Sequence, residues 1–155
     1  MPLKCIATKT GPWLTLVLLL GGVAASTQAG EMERAQAYRQ GVMNVLRWNM
    51  KAMSDMMKGK TPYDAGAFAR HAEDLAKAAS LDLLAGFPED SDSGDTDARP
   101  DIWLDFEGFT RKLRDLREAS QSLRELSAAG DKAAMGNALG KTGKTCKACH
   151  DTYKD

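Results

Sequence analysis

The chain has 155 residues, with 21 basic and 21 acidic side chains and 6% aromatic residues. That length predicts one domain, large enough to bury a single core. The balanced charge leaves no basic footprint for nucleic acid, which is excluded as a partner.

The N-terminus reads as an export signal. Lys4 and Lys9 precede the apolar run Leu14 to Leu20, and Ala24 to Ala29 supplies small residues for cleavage. Thr27-Gln28-Ala29 fits the small-x-small rule, so residues 1–29 are predicted to be a signal peptide cut before Gly30. The run from Leu14 to Ala25 is shorter than the roughly 20 residues a membrane span needs, so no membrane contact is expected after cleavage. Removing Lys4 and Lys9 leaves 19 basic side chains against 21 acidic ones. Cys5 leaves with the leader, and the mature domain, residues 30–155, keeps only Cys146 and Cys149. The predicted compartment is periplasmic.

From Glu31 to about Lys58, Ala35, Tyr38, Val42, Val45, Met53 and Met56 recur at helical steps, and Gly59 and Pro62 end the pattern. Asp64 is placed to cap a second helix, Ala65 to about Ser80, with Phe68, Ala72, Leu75, Ala76 and Ala79 on its apolar face. Gly86 to Pro100 is acidic and glycine- and proline-broken, which predicts a solvated loop; it lacks the spacing and terminal glutamate of a calcium loop. A third helix is predicted from Pro100 to Ala129, on a stripe running from Ile102 through Phe106 and Phe109 to Leu126, closed by Gly130. Asp131 caps a fourth, which runs to the C-terminal end despite Gly136, Gly140 and Gly143. Those glycines predict close approach of a bulky group to the backbone. Four helices with short first and last connections give an all-α antiparallel four-helix bundle.

The fourth helix carries Cys146-Lys147-Ala148-Cys149-His150, a C-x-x-C-H haem attachment signal. On a helix the two thiols and the imidazole share one face, so thioethers would hold one covalent haem c while His150 binds its iron. Lys147 and Ala148 face elsewhere. A thioredoxin-like pair would need a βαβ context that is absent, and a zinc site needs about four ligands whereas the other histidine, His71, is remote. His71 is expected at the surface, Trp48 and Phe68 in the core, and Trp103 either against the haem edge or in the core. Met43 leads the candidates for a sixth iron ligand, but Met50, Met53, Met56, Met57 and Met135 also lie in the mature chain, and methionines commonly fill core gaps.

The chain resembles the class II c-type cytochromes, comprising cytochrome c′ and its low-spin, methionine-ligated relatives. The resemblance rests on Tyr38-Arg39-Gln40, Lys58 to Asp64, Ala98 to Trp103 and Cys146 to Lys154. It implies a homodimer of four-helix bundles whose first helix crosses the distal haem face. It implies that Arg39 meets a haem propionate and that Met43, one turn later, faces the iron. Lys154 stands where many relatives have arginine.

Two functions follow as expectations. In one, His150 and Met43 both bind iron and electrons pass to redox partner proteins. In the other, Met43 only shields an open iron that takes nitric oxide or carbon monoxide, oxygen being disfavoured by an apolar pocket without a donor. A peroxidase would need a distal acid–base pair, for which only His71 offers an imidazole, so the chain is expected not to be an enzyme.

Overall fold

Side-chain caps and glycine turns set where the helices begin and end. The computed structural model describes residues 21–155, with side-chain burial from Gly30 onward. The predicted leader therefore lies largely outside the described residues. Helix α1 spans Gly21–Met57, α2 Ala65–Ser80, α3 Asp101–Leu104, α4 Phe106–Ala129 and α5 Lys132–Tyr153, with a 3-10 turn at Leu83–Gly86. Met32–Asp155 forms one compact unit, which holds everything described below. Among the described residues no helix is long and apolar enough to cross a membrane.

The four long helices form an antiparallel four-helix bundle. Asp64 accepts from the Ala67 amide at 2.7 Å, and Asp131 from Ala133 and Ala134 at 2.9 and 3.1 Å, satisfying donors the first turn leaves open. Gly130 ends α4 at φ 80°, a left-handed conformation that favours glycine.

Two apolar clusters fill the interior. The larger joins Leu46 and Met53 of α1, Phe68 and Leu75 of α2, Leu123 of α4 and Met135 of α5. The smaller joins Phe87, Ile102, Phe109 and Tyr153, with the Phe109 ring edge-on to Phe87 at 4.7 Å and to Tyr153 at 5.4 Å. Burying each large side chain contributes about 1.5–3 kcal/mol.

Three expectations need correction. The third helix is not continuous: at Asp105 the backbone leaves helical geometry (φ −130°, ψ 57°), and its carboxylate caps α4 by accepting from Gly108 at 3.0 Å. Trp48 is not core but 71% exposed, and Tyr38 and Val45 also lie open. His71 is no plain surface residue: it is half-buried, with Nδ1 2.8 Å from Oδ1 of the buried Asn49. Asn49 donates its amide to the Val45 carbonyl, so its Oδ1 is the acceptor and His71 the donor.

Candidate haem-attachment site

α5 brings Cys146, Cys149 and His150 to one face by spacing alone. Cys146 packs against the larger cluster and Cys149 against the smaller, so the two thiols sit astride the line where the clusters meet. Both are free thiols of intermediate burial. Burial pushes the Cys149 thiol up to about 11, helped by its neighbour Cys146, and burial raises Cys146 as well. An exchanging dithiol needs a depressed pKa to supply thiolate, so the thioredoxin-like alternative does not fit.

The exposed His150 ring is lowered in pKa, chiefly by desolvation from its neighbours and next by the Lys154 cation, while Asp151 opposes. That direction favours the neutral ring, whose nitrogen lone pair is available to a metal. Lys147 is exposed and pairs with Asp151 one turn later at 2.6 Å, which keeps it off the cysteine face. Among the described residues no three His, Cys, Asp or Glu side chains gather to hold a bare metal ion.

Where the two clusters meet, Met43 of α1 and Leu113 of α4 each pack against both. Met50 and Met57 pack only against the larger one, which separates Met43 from the other methionines of α1. Leu84 of the 3-10 turn joins Met43 in the smaller cluster. Leu113 belongs to the sequence stripe of the third predicted helix, but nothing local marks Leu84.

Arg39 lies one turn before Met43 and is only 3% exposed. Its Nη1 donates to the Gly86 carbonyl and Ser91 Oγ, and its Nη2 to the Ser91 carbonyl and Thr96 Oγ1, over 2.5–3.0 Å. Desolvation lowers its pKa, with Asp92 opposing. Lys154 is paired with Asp97 at 2.7 Å. Trp103 donates its indole N–H to the Pro88 carbonyl at 2.9 Å and packs beside the smaller cluster together with Cys149. The acidic loop turns its Ser91, Ser93 and Asp95 carbonyls toward α1 donors instead of toward a cation.

The α5 glycines differ in what surrounds them. A Cβ on Gly136 would lie 3.0 Å from Met57 Cε, so that glycine admits α1, whereas Gly140 is exposed with nothing within 4 Å. Gly108 of α4 matters more: a Cβ there would lie 2.0 Å from Asp105 Oδ2 and 2.7 Å from the Tyr153 hydroxyl. Its absence lets Tyr153 donate to Asp105 at 3.0 Å, locking the end of α5 to the start of α4 three residues beyond His150.

Two protonated thiols, a neutral imidazole and an apolar junction fit a covalently held haem. Known proteins resemble the chain over most of its length. A family model described as Cytochrome C′ matches residues 34–154. The cytochrome c′ of Halomonas halodenitrificans is 36% identical over 130 residues, covering 80% of this chain and 98% of that protein. The structure of cytochrome c prime from Shewanella frigidimarina superposes with a TM-score of 0.78 at 34% identity, covering 81% of this chain and 97% of the other. A nitric oxide complex of a cytochrome c prime variant from Alcaligenes xylosoxidans gives 0.73 at 33% identity, with 81% and 97% covered.

Proposed function

The chain belongs to the cytochrome c′ family, and from that membership we propose that Cys146 and Cys149 carry one haem c through thioethers, with His150 as proximal ligand. The family is periplasmic, and its members carry electrons or bind gases without acting as catalysts. Bound haem would supply a redox-active iron. The residues of the chain decide what reaches it.

We infer a five-coordinate, gas-binding cytochrome c′ that takes nitric oxide or carbon monoxide. The observation carrying this reading is the junction of the two clusters, where Met43 and Leu113 pack against both and offer no N–H or O–H donor. Such a face admits small uncharged diatomics and gives no hydrogen bond to a bound dioxygen. The nitric oxide complex of the Alcaligenes relative points the same way. Met43 then screens the distal side without binding.

The second reading is electron transfer to redox partner proteins with Met43 as sixth ligand. It is favoured by Met43 being the one methionine of α1 that packs against both clusters among the described residues.

Absorption spectra, ferric and ferrous, with and without carbon monoxide, separate the two. The gas binder gives a high-spin spectrum that shifts with gas, and Met43→Ala speeds gas association about tenfold, as ~1.4 kcal/mol off the barrier would. A low-spin wild type that ignores carbon monoxide and turns high-spin in Met43→Ala makes the protein an electron carrier.

The family's homodimer is also proposed here. Tyr38, Gly41, Val45 and Trp48 follow one another at steps of three, four and three along the open side of α1, with Trp48 71% exposed. We assign this stripe to a second copy of the chain.

A further inference from the structure

We propose that Arg39 is a positioning residue for Met43 and His150, the two candidate axial residues, acting through a strap, residues 86–99, that ties α1 to the end of α5. The inference rests on the reading of Cys146, Cys149 and His150 as haem-holding residues.

One end of the strap is gripped by α1. Besides the four bonds of Arg39, Gln36 donates to the Ser91 and Ser93 carbonyls at 3.3 and 2.7 Å, and Gln40 to the Asp95 carbonyl at 2.7 Å. The Arg39 guanidinium also lies 4.9 Å from the centre of the Phe87 ring. The other end is stitched to α5. Arg99 donates its amide to the Tyr153 carbonyl at 3.1 Å, Asp155 to the Asp97 carbonyl at 3.0 Å, Ala98 and Lys154 form an antiparallel bridge, and Lys154 pairs with Asp97. The Arg39 and Tyr153 attachments each lie within about one helical turn of a candidate axial residue: Arg39 precedes Met43 by four positions, and Tyr153 follows His150 by three.

A loop rich in serine, aspartate and glycine has little apolar surface to hold its own shape. A buried planar fork that satisfies acceptors at residues 86, 91 and 96 gives it one. The strap thereby fixes the offset of α1 from α5 at the level of Met43 and His150. Close packing turns small offsets into discrete changes of contact, and a misplacement of the order of 1 Å is enough to alter reactivity at a held group.

The rival account has Arg39 act by its charge on a haem carboxylate. Three variants of the holoprotein separate the two. Ser91→Ala with Thr96→Val removes two side-chain acceptors of Arg39 and leaves its charge. Arg39→Lys keeps a charge and loses the fork. Gly86→Ala keeps Arg39 but places a Cβ 2.8 Å from Arg39 Cβ, forcing strap and helix apart.

For each, amide hydrogen exchange of residues 86–97 is measured beside the ferric spectrum and carbon monoxide association. The expected result is loop exchange faster by about tenfold, together with a changed spin state or a carbon monoxide rate altered by about threefold, in all three variants. Faster loop exchange with an unaltered haem spectrum and gas rate overturns the proposal, as does loop exchange that Ser91→Ala/Thr96→Val leaves unchanged. A wild type that carries no covalent haem instead overturns the underlying reading, visible before any variant is made.

Discussion

Cys149 is half-buried beside Cys146, and a second thiol nearby makes a thiolate harder still to form, hence a pKa pushed up to about 11. In the haem-free chain, alkylation of Cys149 should therefore keep accelerating with pH up to about 11, where a free cysteine levels off near about 8.5. A plateau near the ordinary value would show that the folded apoprotein leaves the thiol open to water. That Cys146, Cys149 and His150 share one face was legible, because it depends only on local helical spacing. Arg39 was legible as a residue to watch, yet its bonding was not: its acceptors lie 47 to 57 positions away, beyond any local pattern. Met43 could be distinguished from the other methionines by resemblance alone, since packing against both clusters is a property of the folded bundle.

At the scale of the helices, α2 occupies the residues its cap and stripe predicted, whereas the third predicted helix breaks at Asp105. The stripe Ile102, Phe106, Phe109 runs on at steps of four and three across the break, so hydrophobic period alone could not reveal it. Asp105 is held below the usual carboxylate range by hydrogen bonds from the Gly108 amide and then from the Tyr153 hydroxyl. A depressed folded pKa contributes stability that is complete above the unfolded value of about 4 and is lost as pH falls through the lower folded value. The Tm difference between wild type and Asp105→Asn should accordingly be widest at neutral pH and close on acidification below about pH 4; a gap that stays constant to pH 2 would mean that the charge contributes nothing. Gly140 makes the opposite kind of prediction. It sits in mid-helix, and an added β-methyl would meet nothing within 4 Å, so Gly140→Ala should raise stability by about 0.5–1 kcal/mol. That gain would read as a higher urea midpoint at unchanged slope.

At the scale of the whole molecule, the first helix has two apolar stripes, and the sequence shows their residues without saying which faces inward. Val42, Leu46, Met53 and Met56 are buried, while Tyr38, Val45 and Trp48 lie open. Mixing the two is what puts Trp48 in the core when the pattern is read without the fold. A tryptophan 71% exposed on a helix that also exposes tyrosine and valine is costly in water unless it is covered. A mature chain with 19 basic and 21 acidic side chains puts little net repulsion between copies. A stable pair needs about 800 Å² buried on each partner, more than one stripe of short side chains supplies, so the large ring of Trp48 should anchor the contact. Trp48→Glu places two charges at the centre of such a pair and leaves the monomer's core untouched. Sedimentation should then show a dimer for the wild type and a monomer for the variant, with the haem spectrum unchanged in both. A wild type that sediments as a monomer would remove the dimer, and a variant that stays dimeric would move the interface off this face of α1.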